Sequence, residues 1–273
     1  MTNTEEQKYL TLMADTAMFG DRREDRTRVG TSSIFSPAPL EFYIRDTFPL
    51  ITTKRMAWKS IVAETLWFTQ GRYDLESLRA DGCTWWDPWE KKDGTLGPVY
   101  GKQLRHWTRP DGSEFDQLAW IINEIKTNPT SRRLVATMWN PGELDEMALP
   151  ACHGALIQFY ATTKSNELDL TVNIRSSDMF LGLPTNIASY ALLLRMVAQV
   201  TTRVPGYLKV ILGDAHVYNN HMNQVWQQVG REPYPFPTLE IDPTITNIDD
   251  FRPEHFTLTD YLHHPHISGR VAV

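Results

Sequence analysis

The chain contains two cysteines, Cys83 and Cys152, and the second lies in the segment MALPACHGALIQFY. A cysteine can act as a nucleophile where nearby positive charge favours its thiolate form. It can equally be a small apolar side chain, because free cysteines are among the most buried and inert residues. The segment alone leaves both interpretations of Cys152 open.

Glu64 is a carboxylate on the apolar face of a predicted helix. Its neighbours three and four positions away are Ser60, Ile61, Trp67 and Phe68. The carboxylate therefore shares a helix surface with hydrophobic side chains. Removal from water raises the pKa of a carboxyl group, which suits a group that transfers protons. A buried glutamate satisfied by backbone donors is the structural alternative.

Arginines suited to phosphate binding occur at two points in the chain. Arg175 and Ser176 end a strand of alternating polarity, where a guanidinium fork and a hydroxyl group can clamp a phosphate. Arg132 and Arg133 lie together, just before another predicted strand. The alternative in each case is a solvated surface arginine, which is the usual role of a single charged side chain.

Asn186, in GLPTNIASY, has a structural and a functional interpretation. It can cap the apolar helix that follows. It can also recognise a base, because a side-chain amide presents an acceptor and a donor side by side. These two groups match the N3–H and O4 of uracil, whereas cytosine reverses both.

The histidines do not have the spacing of a metal site. His216 and His221 are five residues apart in GDAHVYNNH, which is not the spacing of zinc ligands on a helix. The HHPH sequence near the carboxyl terminus is predicted to be a solvated turn. His216 and Tyr218 are predicted to begin a helix, with capping and packing as their structural roles. Because the histidine spacing does not indicate a metal site, we expect no metal ion. No phosphate-binding loop or dinucleotide fingerprint is present.

The composition is that of a soluble globular protein. In 273 residues and 31.4 kDa, 41% of residues are hydrophobic and 22% are charged. The net charge of −6 and the pI of about 5.8 argue against nucleic acid as a bulk partner. No signal peptide or membrane-spanning run is evident, and two free thiols fit a reducing compartment. We therefore expect a cytoplasmic protein, with residues 1–273 forming a single domain.

Hydrophobic patterns predict a mixture of helices and strands without strict alternation, which indicates an α/β protein of the α+β type. A capping box at Thr4 and Gln7 begins the first helix, and Gly20 ends it. The predicted helices are TEEQKYLTLMADTAMFG, residues 59–70, DQLAWIINEIKTNP, IASYALLLRMVAQV and VYNNHMNQVWQQVG. The predicted strands are RLVATMW, ALIQFYAT, ELDLTVNIRS and LKVILGDAH, with one or two short strands after residue 240.

The order of the motifs resembles that of thymidylate synthases. The motifs are DRT, TTKR, ETLWF, WWDPW, LGPVYGKQ, NPTSRR, WNPGELDEMAL, CH...QFY, RSSD, LGLPTNIASYALL and GDAHVYNNHMNQ. The resemblance extends from about residue 5 to the final VAV. It implies a mixed sheet flanked by helices, with the sheets of two subunits packed back to back in a homodimer. It also implies transfer of a one-carbon unit from 5,10-methylenetetrahydrofolate to C5 of dUMP.

The resemblance implies a role for each matching residue that binds the nucleotide. Cys152 would be the nucleophile that adds to C6, beside Arg175, whose charge would lower the pKa of the thiol. Asn186 would recognise the uracil edge. The phosphate would be bound by Arg26, Arg175 and Ser176 of one subunit and by Arg132 and Arg133 of the other. His216 and Tyr218 would hold the ribose hydroxyl.

The resemblance also implies residues for proton transfer and folate binding. Glu64 would relay protons through water to O4, and Tyr100 would assist removal of the C5 proton. His153 and Asp178 complete the implied catalytic set. The folate would be enclosed by Trp86, Trp89, Leu149, Asp178, Gly182, Thr185 and Val273.

Four positions depart from the family pattern. Ala151 precedes the cysteine where the family usually has proline, and Pro150 is displaced by one residue. Six residues separate Cys152 from Gln158 where the family usually has five, which implies an insertion or bulge after the nucleophile. Ile174 replaces the usual residue before the arginine. Thr185 replaces a phenylalanine and removes an apolar wall from the implied folate pocket.

These departures leave two alternatives to methylation. A smaller, more polar wall at Thr185 would admit water to the exocyclic methylene group, and the product would then be a 5-hydroxymethyl pyrimidine nucleotide. Asn186 argues for uracil, since cytosine-specific relatives have aspartate at the matching position. A relative without activity, acting as a nucleotide- or RNA-binding protein, is the alternative from another class. Retention of Cys152, Glu64, Tyr100 and Arg175 argues against it.

Overall fold

The structure is a computed structural model that describes residues 3–25 and 27–272. In these residues the helices are α1 (Thr4–Phe19), α2 (Trp58–Thr69), α3 (Leu75–Ala80), α4 (Gly101–Arg105), α5 (Gln117–Thr127), α6 (Gly182–Val200) and α7 (Met222–Val229). The first six strands are β1 (Asp21–Arg23), β2 (Thr31–Phe35), β3 (Leu40–Tyr43), β4 (Trp107–Thr108), β5 (Glu114–Phe115) and β6 (Val135–Ala136). The others are β7 (Leu156–Ala161), β8 (Glu167–Asp178), β9 (Val204–Tyr218), β10 (Thr238–Ile241) and β11 (Phe256–Thr259).

The described strands form one large sheet and two small hairpins. The large sheet has the order β1-β2-β9-β8-β7-β6, and β3 also pairs with β9. Strands β8 and β9 are parallel and the other pairs are antiparallel, so the sheet is mixed. The predicted fold class, a mixed sheet flanked by helices, is confirmed.

The core lies between the large sheet and α6. The even-numbered residues of β8 from Leu168 to Ile174 are at most 1% exposed, as their alternation with polar residues predicts. Nearly every residue of α6 is buried as well, which agrees with its apolar sequence on all sides. Helix α6 connects β8 to the parallel strand β9. The carboxyl ends of both strands therefore lie at the same edge of the sheet.

Several predicted elements are confirmed. Asp116 caps α5, its side chain accepting a hydrogen bond from Ala119 N, and Gly20 is the C-cap of α1. Strand β7 falls within ALIQFYAT, and β8 begins at Glu167, the first residue of ELDLTVNIRS, and ends two residues beyond it. The carboxyl-terminal region contributes the β10–β11 hairpin.

Other predictions about the elements are wrong. The N-cap of α1 is Asn3, whose side chain accepts from Glu6 N, because Thr4 is already helical. Helix α6 begins at Gly182, so Asn186 lies in its second turn and does not cap it. His216 and Tyr218 end strand β9 and do not begin a helix, since pairing with β2 continues through Tyr218. The strand predicted in RLVATMW is only two residues long.

The other face of the large sheet carries large exposed side chains. Leu156, Tyr160 and Tyr207 are 37%, 64% and 42% exposed. They alternate along β7 and β9 with buried residues of the inner face. None of the described helices is long and apolar enough to cross a membrane.

Candidate active site

Cys152 lies in the loop before β7, and the backbone of β8 holds this loop. The Cys152 carbonyl accepts hydrogen bonds from Arg175 N at 2.8 Å and from Ser176 N at 3.3 Å. The Cys152 side chain is half-buried, and its Sγ lies 3.6 Å from the Pro150 carbonyl. The fold therefore presents the Cys152 thiol at a partly exposed position. Cys83 differs, because burial raises the pKa of its thiol to about 12.

Arg175 is the positive charge beside this thiol. Its Nη2 is 3.9 Å from Cys152 Sγ and 3.4 Å from the Pro150 carbonyl, and its Nε is 3.3 Å from the Ala151 carbonyl. The carbonyls of the two residues that depart from the family pattern thus accept hydrogen bonds from the guanidinium. A cation at this distance favours the thiolate form of a cysteine.

Tyr100 contacts the backbone of the loop that carries Cys152. Its hydroxyl accepts a hydrogen bond from Cys152 N at 3.2 Å. Its backbone has φ of +28° at the start of α4, a conformation that L-residues adopt rarely and at a cost. Burial, and then the neighbouring Cys152, raise the pKa of Tyr100 well above its ordinary value. The phenol is therefore neutral and can donate one hydrogen bond.

Glu64 is connected to Tyr100 through Trp86. The Glu64 side chain is buried in α2, and Trp86 Nε1 donates a hydrogen bond to its Oε1 at 2.7 Å. The Trp86 ring packs edge-on against the Tyr100 ring with centroids 5.2 Å apart. Burial raises the pKa of Glu64 to about 7. The carboxyl group can therefore either give or take a proton near neutrality.

His153 is held as a neutral ring next to the nucleophile. Its Nδ1 is 2.8 Å from the Tyr190 hydroxyl, and its ring stacks on Tyr100 at 4.5 Å. Burial lowers the pKa of His153 to about 3. The imidazole therefore takes part in hydrogen bonding without contributing a charge.

A turn separates Cys152 from β7. Gly154 has φ of +66°, and a Cβ there would lie 1.9 Å from Met138 Cε and 2.6 Å from the Tyr190 hydroxyl. The pairing of β7 with β8 then runs in one register from Leu156 to Ala161. Gly154 thus forms a left-handed turn before β7, and the pairing of β7 with β8 shows no shift of register.

Asn186 lies one helical turn before Tyr190 on the same face of α6. Its side chain is 8% exposed. No described residue forms a hydrogen bond with its amide, which is consistent with a polar group kept for a ligand.

The end of β9 lies beside the end of β8. His216 pairs with Asp178, and Asp214 with Ser176. His216 Nδ1 is 3.1 Å from Asp214 Oδ1, and the Tyr218 ring packs edge-on against the His216 ring at 5.1 Å. The sheet therefore brings the predicted sugar- and phosphate-binding residues of the two strands together.

Asp178 organises the loop into α6. Its Oδ1 accepts hydrogen bonds from Phe180 N at 2.8 Å and Leu181 N at 3.1 Å. Lys54, of the TTKR motif, donates to the Phe180 carbonyl, and burial lowers the pKa of this lysine to about 7. Asp178 thus has an observed structural task in addition to the role predicted for it.

Two of the predicted arginines make no contact with Cys152 in the described chain. Arg132 and Arg133 are exposed just before β6, without side-chain hydrogen bonds or ion pairs to described residues. Arg26 and Val273 lie outside the residues that the structure describes.

The structure describes the local surroundings of five of the predicted folate residues. Trp86 and Trp89 pack at 5.6 Å between ring centroids, and Trp89 Nε1 is buried with no hydrogen-bond partner among the described residues. Leu149 and Thr185 are half-buried, and Gly182 begins α6. No group of three or more His, Cys, Asp or Glu side chains in the described residues is arranged to hold a metal.

Two residues of the site were missed from the sequence. Tyr190 could have been found, because its spacing of four from Asn186 places both on one helix face. Trp139, whose ring centre lies 4.9 Å from Arg175 Cζ, is contributed by the segment after β6. The proximity of Trp139 to Arg175 depends on the pairing of strands in the sheet. The local sequence does not show this pairing.

A family model described as thymidylate synthase matches residues 7–273. The chain belongs to the thymidylate synthase family, as its motifs predict. Members of this family transfer a one-carbon unit to a pyrimidine nucleotide, with methylenetetrahydrofolate as cosubstrate.

The raised pKa of Glu64 predicts a pH dependence of stability. Its pKa is about 7 in the fold against an ordinary 4.5, so the native state binds this proton more tightly than the unfolded chain. The resulting stabilisation is complete below about pH 4.5 and is lost as the pH rises through about 7. We expect a loss on the order of 3 kcal/mol across this window.

The measurement is urea unfolding of the wild type and Glu64→Gln at about pH 5 and about pH 8. Glutamine keeps an acceptor for Trp86 Nε1 but does not titrate, so it is the matched control. The free energy of unfolding of the wild type should fall relative to that of the variant as the pH rises. Parallel pH profiles would contradict a protonated Glu64.

Proposed function

We propose that this chain converts dUMP to dTMP by reductive methylation at C5, with 5,10-methylenetetrahydrofolate as the cosubstrate. The observation that carries this proposal is the half-buried Cys152 thiol 3.9 Å from a guanidinium nitrogen of Arg175. The thiolate forms a bond to C6 of the uracil, and the electrons of the C5–C6 double bond move toward O4. C5 thereby becomes nucleophilic, which divides a difficult substitution into easier steps.

Asn186 supports uracil as the base. Its buried amide lies on the face of α6 that carries Tyr190, whose hydroxyl contacts His153 next to the nucleophile. Because described residues leave this amide without a hydrogen bond, the N3–H and O4 of uracil supply the missing partners. Cytosine reverses the donor and the acceptor, so the amide would have to flip to pair with it, and an orientation held for uracil discriminates against cytosine.

Proton transfer is assigned to Glu64 and Tyr100. A carboxyl group with pKa about 7 exchanges protons readily at neutral pH, and it is oriented by Trp86. The Tyr100 hydroxyl accepts from Cys152 N and retains its own proton and a further acceptor site. It is thus positioned beside the sulfur, where the C5 proton must be removed after the thiol has added.

The residues present fit a reduced folate. A flat heterocycle with polar edges is matched by the Trp86 and Trp89 rings, and it would give the buried Trp89 Nε1 an acceptor. Leu149, Asp178, Gly182 and Thr185 would complete the walls, and Val273 would close them. The folate supplies the one-carbon unit and, for methylation, the hydride.

We propose that a second copy of the chain covers the exposed face of the large sheet. Leu156, Tyr160 and Tyr207 form an apolar surface there that no described element covers. The partner copy would supply Arg132 and Arg133 to the phosphate, while Arg175 and Ser176 act in the same subunit as Cys152, together with Arg26. Their exposure and lack of described partners are consistent with this task.

Hydroxymethylation of dUMP is the second candidate, and Thr185 is the observation in its favour. Its half-buried side chain lies in the first turn of α6 and is within 3.4 Å of the Leu181 carbonyl. A hydroxyl group at this wall can hold a water molecule, which a phenylalanine would exclude. Addition of water in place of hydride would release a 5-hydroxymethyl nucleotide and tetrahydrofolate.

Incubation with dUMP and methylenetetrahydrofolate tests the reaction directly. We expect absorbance in the dihydrofolate band to rise and dTMP to form, because methylation oxidises the folate. Nucleotide product without dihydrofolate would instead identify hydroxymethylation.

Cys152→Ser should abolish turnover while dUMP still binds, and mass spectrometry should detect a nucleotide adduct only on the wild-type chain. Binding without turnover or adduct in the wild type would favour an inactive relative.

Asn186→Asp tests the recognition of the base. An aspartic acid that is protonated can donate to and accept from cytosine, so preference should move from dUMP toward dCMP by at least about tenfold. The readout is the ratio of the two dissociation constants, with Asn186→Ala as the control that removes both hydrogen bonds. An unchanged ratio in the aspartate variant would show that Asn186 does not contact the base edge.

Hybrid dimers test the shared phosphate site. Arg132→Ala and Cys152→Ala chains, each with little activity alone, should regain up to about a quarter of wild-type activity when subunits exchange. The physical reason is that each hybrid contains one site with both Cys152 and Arg132. The matched control mixes Cys152→Ala with Arg175→Ala, which act in one subunit and should not complement. No recovery in the first mixture would contradict the shared site.

A further inference from the structure

Trp139 is a half-buried tryptophan whose position the core does not explain. It follows β6 and is not among the described hydrophobic side chains that form the central core or pack against it. Its ring instead faces the guanidinium of Arg175, with Cζ 4.9 Å from the ring centre. At this distance the negative face of an aromatic ring attracts a cation.

The segment that carries Trp139 is fastened to the loop that carries Cys152. Met138 N donates to the Gly154 carbonyl at 3.0 Å, and Thr137 Oγ1 donates to the Ala155 carbonyl at 2.7 Å. Thr137 Oγ1 also accepts from Trp139 N at 3.1 Å. The indole is therefore set in place by the same turn that positions the nucleophile.

Gln117 fixes this segment from the opposite side. Its Oε1 accepts from Thr137 N at 3.0 Å, and its Nε2 donates to the Thr137 carbonyl at 2.8 Å. Gln117 is the first residue of α5 and is 7% exposed. The backbone before Trp139 is thus anchored both to a helix and to the nucleophile loop, which limits the freedom of the indole.

Arg175 needs such support because its other contacts are weak. It is exposed, its hydrogen bonds to two carbonyls are 3.3 and 3.4 Å long, and no carboxylate of the described residues pairs with it. A carboxylate would orient the guanidinium but would also cancel its field at the sulfur. An aromatic face orients the cation without adding a net negative charge.

We propose that Trp139 is a positioning residue for Arg175, holding the guanidinium beside the Cys152 sulfur before any nucleotide binds. The inference deepens the proposed function, since the same thiol is the assigned nucleophile. It concerns the reactivity of the thiol in the free protein, which can be measured whatever reaction the protein catalyses.

Alkylation of Cys152 by iodoacetamide provides the measurement. The thiolate displaces iodide and forms the new S–C bond, so the rate reports the thiolate fraction. Peptide mass spectrometry separates Cys152 from the buried Cys83. The titratable and charged groups of the Cys152 surroundings, which are Glu64, Tyr100, His153 and Arg175, are unchanged in the single variants. The rate is followed as a function of pH in wild type, Trp139→Phe and Trp139→Leu.

Trp139→Leu should slow alkylation at neutral pH about two- to fivefold and move the midpoint of its pH profile upward. Trp139→Phe keeps an aromatic face and should stay closer to the wild type. A leucine profile that superimposes on the wild-type profile would overturn the proposal. Trp139→Met, read in the same way, replaces the leucine variant if thermal unfolding shows that leucine is not tolerated.

A double-mutant cycle decides whether Trp139 acts through Arg175. In an Arg175→Ala background, Trp139→Leu should have no further effect on the alkylation profile. An equal loss of rate in both backgrounds would mean that Trp139 acts by another route, and the proposal would fail. If these results hold but dUMP is not turned over, the proposed reaction alone is wrong.

Discussion

The hydrogen bond from Arg175 N to the Cys152 carbonyl joins the strand that carries the cation to the loop that carries the thiol. Strand β8 is long, alternating and buried on one face, so its register is strongly fixed. Because Cys152 depends on this strand for its backbone partner, its position is fixed with it. The distance from sulfur to guanidinium is thus a consequence of sheet register and not of a local motif.

Much of the fold follows from the sequence because its signals are local. The alternation of β8, the apolar surface of α6 and the Asp116 cap each depend on a few neighbouring residues. The errors have tertiary causes. Strand β9 continues through His216 and Tyr218 because β2 pairs with it, although the segment reads as the start of a helix. The short β6 and the early start of α6 are set in the same way by neighbouring elements.

The site was predictable only where a side chain's environment lies in its own element. The apolar neighbours of Glu64 along α2 indicate burial, which agrees with its pKa of about 7. No local pattern places Trp86 against Glu64, Trp139 against Arg175 or Tyr190 against His153. The sequence does not indicate the left-handed turn at Gly154, which is evident only from the backbone. Contacts of this kind join elements that are distant from one another in the sequence.

The charges around Cys152 are arranged asymmetrically. Burial favours the neutral forms of His153 and Tyr100 and brings Glu64 close to an even balance between its two forms. Among these described neighbours, Arg175 is the one that is permanently charged. Because Arg175 is exposed, water and salt screen part of its field at the sulfur. The field of that guanidinium at the sulfur depends on its distance, so the groups that orient Arg175 bear on the proposed reactivity of the thiol.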